Sequence, residues 1–161
     1  MAEIKICMLT VCLLVAMNAA ALKTQYKHTK PNATIIIDTD SFQASDLKKA
    51  AFQTDNYLEE MNIDPDRVIC CPLTQMVKDT LADSGMDNKA ILKCRNMFAL
   101  GLVCWLFDRD LNIAFNFLRE KFSKKPALAE ANIKVIQSGY DYGHNTHSTA
   151  LNTYRIETKN K

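Results

Sequence analysis

The sequence predicts an α/β domain in which a mostly parallel sheet is followed by a helical C-terminal part. Short apolar, β-branched runs lie at 6–17, 33–38 and 67–73, and helical patterns follow each of them. Strands that alternate with helices are typical of parallel sheets covered by helices. Beyond residue 86 the apolar residues recur at three- and four-residue steps, which predicts helices alone.

The stretch ICMLTVCLLVAMNAAALKTQ predicts the first strand and the helix after it. The run at 6–17 is apolar and partly β-branched, as in a buried strand. Asn18 follows this run, and an asparagine side chain can accept a hydrogen bond from a free backbone N–H of a first helical turn. We therefore expect Asn18 to cap a helix that ends before Pro31.

The other two strands are shorter. The run ATIIID at 33–38 predicts a fully buried strand, and RVICCPL at 67–73 predicts a third strand that Pro72 ends. In such a strand the adjacent Cys70 and Cys71 point to opposite faces of the sheet. The carboxyl ends of parallel strands meet at one edge, which is where ligands bind in such sheets.

Polar residues mark the helix ends. Ser45 or Asp46 is expected to cap a helix through LKKAAF, and Thr74 is expected to begin a helix whose last turn meets Gly85. The segment MFALGLVCWLF is apolar nearly all round, which predicts a buried helix. Asn96 precedes it, and we expect this amide to hydrogen bond to a neighbouring loop.

Two more helices are predicted towards the C-terminus. The first buries a face that contains Leu111, Phe115, Leu118 and Phe122. The last is expected to begin after a capping residue at 123 and to reach residue 139. From residue 140 the chain is polar, which predicts a loose tail.

Composition excludes several classes of function. A chain of 161 residues is long enough for one domain with a sizeable core. The net charge of +2 gives no basic field for nucleic acid, and no apolar run after residue 22 reaches the length of about 20 residues of a membrane span. The four glycines all lie at or after Gly85 and are not clustered, so no loop of the kind that cradles phosphates is expected.

The metal-binding and disulfide patterns are absent from the sequence. The six cysteines contain no C-x-x-C pair, and we expect reduced, largely buried thiols. His144 and His147 have the spacing of metal ligands but lack a third ligand nearby in the sequence. We therefore expect no metal site in this chain.

Several segments in order resemble one family. They are VAMNAAALK at 15–23, TIIIDTDSF at 34–42, NMFALGLVCWLFDR at 96–109, EKFSKKPALAEANIK at 120–134 and GYDYG at 139–143. Together they are similar to the 2-oxoacid:ferredoxin oxidoreductases, and in particular to the gamma-type domain of the 2-oxoglutarate:ferredoxin oxidoreductase alpha subunit. The resemblance implies a Rossmann-like three-layer domain.

The resemblance also implies a reaction and a set of partners. Enzymes of this type convert 2-oxoglutarate and coenzyme A to succinyl-CoA and carbon dioxide, with thiamine diphosphate, Mg²⁺ and an iron–sulfur cluster as cofactors and ferredoxin as electron acceptor. The partners implied are a beta subunit, the remaining alpha-chain domains and, through the complex, ferredoxin. None of these cofactors has a recognisable ligand pattern in this sequence, so we expect the isolated chain to bind none and to be inactive.

One departure from the family pattern bears on the domain organisation. The family's glycine-rich segment of the type G-x-G-G-Q-G has no counterpart here. We therefore expect an N-terminally truncated domain: a divergent or remnant strand at 1–14, a partial gamma-type domain at 15–143 and a flexible tail at 144–161. A secretion signal is a second interpretation of the N-terminal apolar run. Cleavage would remove the first strand, and the resemblance instead implies a cytoplasmic chain.

The resemblance suggests three candidate binding residues, Asn18, Asp40 and Ser41, at predicted strand ends on the coenzyme A side. For each of them, a role as a helix cap or turn residue is an equally open interpretation. We expect no catalytic residue in this chain. The alternative function is a standalone, non-catalytic protein of the same fold that binds coenzyme A or a partner subunit.

Overall fold

The computed structural model describes residues 11–147, and the chain divides into two compact units, Met1–Pro72 and Leu73–Lys161. The first unit contains the sheet, and the second is helical in its described part. The predicted α/β fold is confirmed. Within the described range, none of the helices has both the length and the apolar character needed to cross a membrane.

The first unit is built on three parallel strands in the order β1-β2-β3. They are β1 (Val11–Ala16), β2 (Thr29–Asp38) and β3 (Val68–Cys71). All three predicted strands are confirmed, and residues 6–10 of the first prediction lie outside the described residues. The central strand β2 is buried continuously from residue 33 to residue 38, as its β-branched sequence predicts.

Strand β2 begins earlier than predicted, at Thr29. Its pairing with β1 shifts between Val11 and Leu13, so that Val11 pairs with Thr29 whereas Leu13 pairs with Thr34. The extra residues of β2 therefore bulge away from the ladder. This irregularity accommodates Pro31, which has no N–H to donate to a neighbouring strand.

Three helices pack against the sheet in this unit: α1 (Ala19–Gln25), α2 (Ala44–Lys49) and α3 (Tyr57–Glu60). They bury one continuous core with β1 and β2, formed by Ala16, Ala19, Leu22, Ile35, Ile37, Phe42, Leu47, Phe52 and Ile63. The predicted caps of α2 are wrong. Gln43 is the N-cap residue, and Ser45 and Asp46 lie inside the helix, because the chain enters it directly from the buried Phe42.

The described part of the second unit contains five helices: α4 (Leu73–Thr80), α5 (Asn88–Lys93), α6 (Arg95–Leu106), α7 (Leu111–Lys121) and α8 (Pro126–His147). Helix α4 ends earlier than predicted and is followed by a short 3₁₀ turn, Ala82–Ser84. Gly85 then has φ of +68°, the left-handed conformation that favours glycine after a helix.

The last helix, α8, is longer than the sequence predicts. It begins at Pro126, where a missing N–H costs nothing, and it continues through Gly139 and Gly143 to His147. Residues 140–147 are thus helical, so the prediction of a loose tail is wrong for them. Residues 148–161 of the predicted tail lie outside the described residues.

Helices α6 and α8 approach each other closely at two glycines. A Cβ atom on Gly139 would overlap the carbonyl oxygen of Phe98, and one on Gly101 would overlap the carbonyl oxygen of Ile136. The two backbones therefore touch at both positions, where any side chain would push them apart. The contact at Gly139 lies where the sequence predicted the last helix to end, and it packs the continuing helix closely against α6.

Candidate functional site

The carboxyl ends of the three strands place the predicted site residues at one edge of the first unit. Ala16 pairs with Ile37, and Asp38 pairs with Cys71, so the strands end almost level. Asn18 follows β1 by two residues, and a 3₁₀ turn, Thr39–Ser41, follows β2 directly. The structure therefore assigns Asn18, Asp40 and Ser41 to strand ends, as expected from the sequence.

Asn18 caps α1, as predicted. Its backbone is extended, with φ of −164°, and its Oδ1 atom accepts a hydrogen bond of 2.8 Å from the backbone N–H of Ala21. The side chain is exposed, and its Nδ2 atom donates to no residue within 11–147. The cap uses the amide oxygen and leaves the amide nitrogen available to a ligand.

Asp38 organises the turn that carries the other two candidates. Its carboxylate is almost completely buried, with 1% exposure. One oxygen accepts a hydrogen bond of 3.3 Å from the backbone N–H of Asp40, and the other accepts one of 3.1 Å from the hydroxyl of Ser41. The turn at Thr39–Ser41 is therefore held by a charged acceptor, which makes each of these bonds stronger than a neutral one.

The sequence interpretation overlooked Asp38 as the central residue of this edge. Asp40 and Ser41 were the predicted candidates, and Asp38 had no predicted role beyond the end of its strand. The signal was present, because Asp38 ends a continuously buried strand and Ser41 follows it by three residues, the spacing of a side chain that bonds to its own turn. Ser41 and Asp40 are half-buried, so the turn still exposes part of each side chain.

Cys70 and Cys71 point to opposite sides of β3, as predicted: Cys70 is exposed and Cys71 is buried. Tyr57 of α3 lies beside Cys70 and packs against Phe42, with ring centroids 4.9 Å apart. Partial burial raises the pKa of the Cys70 thiol, although a hydrogen bond from Tyr57 lowers it in part. Burial and the nearby Cys70 raise the pKa of Tyr57 as well.

These pKa shifts determine what Cys70 can do chemically. A nucleophilic cysteine needs a lowered pKa so that the thiolate is present at neutral pH. The raised pKa keeps the Cys70 thiol protonated, and the neighbouring Tyr57 is protonated too. The pair is therefore a hydrogen-bonded part of the sheet edge rather than an activated nucleophile.

We expect alkylation to report this raised pKa. In the folded chain, the rate at which iodoacetamide modifies Cys70 should reach half its maximum at a higher pH than in the unfolded chain, because only the thiolate reacts. Tyr57→Phe should move this midpoint higher still, since it removes the hydrogen bond that favours the thiolate. Mass spectrometry of the 67–73 region over a pH series measures it, and a midpoint below that of the unfolded chain would contradict the assignment.

One predicted side-chain contact differs in the structure. Asn96 is exposed near the start of α6 and makes no hydrogen bond to a loop within the described range, so that prediction is wrong. Helix α6 begins at Arg95, and Asn96 lies on the solvent-exposed side of its first turn. Of the two histidines with the spacing of metal ligands, His144 is exposed on α8. The side chain of His147 is not among those that the structure describes.

The described residues do not fit an iron–sulfur cluster or a metal ion. No group of three or more histidine, cysteine or acidic side chains comes together anywhere in the part of the chain that the structure describes. Its five cysteines, all of them free thiols, are Cys12, Cys70, Cys71, Cys94 and Cys104. A cluster needs several thiolates around one point, and this arrangement does not supply them.

Comparison with known proteins assigns the chain to a family. The model of the pyruvate ferredoxin/flavodoxin oxidoreductase family matches residues 2–142, which includes all but the first residue of the segment 1–14 that was predicted to be a divergent or remnant strand. The chain is also 35% identical over 143 residues to 2-oxoglutarate oxidoreductase subunit KorA of Mycobacterium tuberculosis (strain ATCC 25618 / H37Rv).

That alignment covers 89% of this chain but 22% of the relative, so the chain spans about a fifth of that protein's length. No solved structure matches significantly. The resemblance found in the sequence motifs is thereby confirmed, and the chain belongs to the pyruvate ferredoxin/flavodoxin oxidoreductase family.

Proposed function

We propose that this chain is the gamma-type part of the alpha side of a 2-oxoglutarate:ferredoxin oxidoreductase. That enzyme converts 2-oxoglutarate and coenzyme A to succinyl-CoA and carbon dioxide and passes the electrons to ferredoxin. The observation that carries the choice of substrate is the identity of 35% to a protein named as a 2-oxoglutarate oxidoreductase subunit. The family match alone supports the broader class of 2-oxoacid oxidoreductases.

In this proposal the chain contributes to coenzyme A binding and to subunit assembly. The beta subunit and the remaining alpha-chain domains contribute the residues for the redox chemistry. The described residues bring no three metal-ligating side chains together, and the thiol at the sheet edge has a raised pKa. Thiamine diphosphate and the cluster supply the carbanion chemistry and the electron transfer when they are bound elsewhere in the complex. The beta subunit and the remaining alpha-chain domains would bind these two cofactors. We propose that the assembled enzyme acts in the cytoplasm.

The sheet edge is the proposed contact for coenzyme A, through Asn18, Asp40 and Ser41. Two carboxylates, Asp38 and Asp40, lie at this edge, so the anionic phosphates of coenzyme A are disfavoured there. Its pantetheine arm is neutral and carries amide N–H and C=O groups. Asp40 is suited to accept from such an N–H group, and the Nδ2 atom of Asn18 is suited to donate to such a carbonyl.

A chimeric enzyme tests the assignment. In the M. tuberculosis relative, the segment that aligns with this chain is replaced by this chain, and the protein is produced with the partner subunit of that enzyme. We expect reduction of ferredoxin that depends on both 2-oxoglutarate and coenzyme A. A folded, assembled chimera without this activity would contradict the proposal, and coenzyme A binding by the isolated chain in calorimetry would then favour the standalone function.

Asn18→Asp separates the binding role of Asn18 from its capping role. Aspartate caps a helix as well as asparagine does, but it lacks the N–H donor and adds a negative charge. In the chimera we expect KM for coenzyme A to rise about tenfold, as for one lost hydrogen bond next to a new charge, with kcat and melting temperature unchanged. An unchanged KM for coenzyme A would show that Asn18 caps helix α1 and does not contact coenzyme A.

A further inference from the structure

The large apolar side chains that are exposed in the described chain lie together in the second unit. They are Leu100 (37% exposed), Ile113 (69%) and Phe117 (58%). Leu100 and Phe117 line a groove of about 480 Å³ formed by helices α5 to α8, and Ile113 lies one turn before Phe117 on α7. We call this feature the helical groove, and its lining is mainly apolar.

The hydrophobic core of helices α7 and α8 is formed by side chains other than these three exposed ones. Helix α7 packs inward through a different face, which contains Leu118 and its neighbours Leu111, Ala114, Phe115 and Phe122. This face meets Ile133 and Ile136 of α8. Ile113 and Phe117 therefore form a second apolar stripe on α7, and contiguous exposed apolar surface of this kind marks an interaction site.

The charges around the helical groove indicate which kind of ligand would bind there. Lys93 and Lys121 are its charged lining residues, and no acidic side chain of the described chain lines it. The ammonium of Lys121 lies 5.4 Å from the ring centre of Phe117 and 5.8 Å from that of Phe122. An occupant with apolar side chains flanked by carboxylates would complement both the apolar lining and the two lysines.

A buried amide also faces this groove. Asn132 is 7% exposed, and its Nδ2 atom donates a hydrogen bond of 2.8 Å to the carbonyl of Leu128. Within residues 11–147 its Oδ1 atom accepts no hydrogen bond. Buried polar atoms are normally paired, so this oxygen is placed to accept a hydrogen bond from a donor group that enters the groove.

We propose that the helical groove binds an amphipathic helix of a partner polypeptide, with apolar side chains in the groove and carboxylates beside Lys93 and Lys121. Apolar grooves between helices commonly accept such a helix through side chains spaced three and four residues apart. A symmetric contact between two copies of this chain would bring lysines against lysines, which disfavours self-association here. The proposal does not depend on which 2-oxoacid the parent enzyme uses.

Two labelled peptides and the full chain test the proposal. Each peptide has about 15 residues with leucines at helical spacing, one with glutamates on the other positions and one with lysines. In fluorescence anisotropy we expect the acidic peptide to bind saturably, with Kd on the order of 10–100 μM, and the basic peptide to bind at least about tenfold more weakly.

Charge-reversal variants locate the binding site. The double variant Lys93→Glu, Lys121→Glu should reverse the preference between the two peptides, whereas the matched control Lys134→Glu, outside the groove, should not. Ile113→Ser with Phe117→Ser should abolish binding while circular dichroism shows a folded chain, because both side chains are exposed.

Three results would overturn the proposal. The first is equal affinity for the acidic and basic peptides, and the second is an unchanged preference in the double variant. The third is binding of dodecanoate, an apolar chain with one carboxylate, without any binding of the acidic peptide. That result would identify the helical groove as a site for a small amphiphile instead.

Discussion

Replacing Gly139 with alanine is expected to destabilise the second unit by about 2–3 kcal/mol. The new Cβ atom would overlap the carbonyl oxygen of Phe98 and lie 2.9 Å from its carbonyl carbon, so helices α6 and α8 must move apart. Overpacking typically costs about 1–3 kcal/mol, and a clash with backbone has no flexible side chain to relieve it. The higher helix propensity of alanine returns up to about 1 kcal/mol.

Trp105 provides the measurement. It is the single tryptophan of the chain, it lies in α6, and it is 6% exposed. Its fluorescence therefore follows the unfolding of the second unit in urea. The control is Gly85→Asn, because Gly85 has a left-handed conformation that asparagine tolerates and no atom lies within 4 Å of the place that a Cβ atom would occupy. Equal urea midpoints for Gly139→Ala and the parent would contradict the proposed contact.

Replacing Asp38 with alanine is expected to destabilise the first unit by about 2–4 kcal/mol. The change removes the acceptors of the Asp40 N–H and the Ser41 hydroxyl and leaves a space at a position with 1% exposure. Hydrogen bonds to a charged group contribute about 1.5–3 kcal/mol each, and the space left at this buried position adds its own cost. The turn Thr39–Ser41 should lose its fixed conformation.

A matched pair of variants separates these effects. Asp38→Asn keeps one acceptor and nearly the same volume, so it should cost less than Asp38→Ala. Ser41→Ala removes one bond and leaves the other in place. Urea unfolding followed by far-ultraviolet circular dichroism gives the free energies. If Asp38→Ala were no less stable than Ser41→Ala, the carboxylate would not be the organising group of this edge.

Local patterns in the sequence were sufficient for the strands and for several helix ends. The β-branched run at 33–38 is a buried strand, and Asn18 caps the helix after β1, because both depend on neighbours within a few residues. Gly85 has the left-handed conformation expected after a helix for the same reason. The ordered motifs also indicated the family, which the comparisons confirmed.

Predictions that depended on distant neighbours were less successful. A loose tail was predicted from residue 140, but residues 140–147 continue α8, whose Gly139 lies against the backbone at Phe98, some 40 residues earlier in the chain. Helix α2 begins at Ala44, with Gln43 as its N-cap directly after the buried Phe42, whereas the local capping preference favoured Ser45 or Asp46. Asn96 is exposed because of the orientation of α6, which its own neighbours do not determine.

The amino-acid order by itself determined the alternation of strands and helices, the cap of the first helix and the family of this protein, since periodicity, capping and motif spacing are properties of short segments. Tertiary structure alone decided that two helices touch at glycines, and that Ile113 and Phe117 remain exposed beside a groove. Burial and close approach depend on which distant segments meet, and no local preference specifies that.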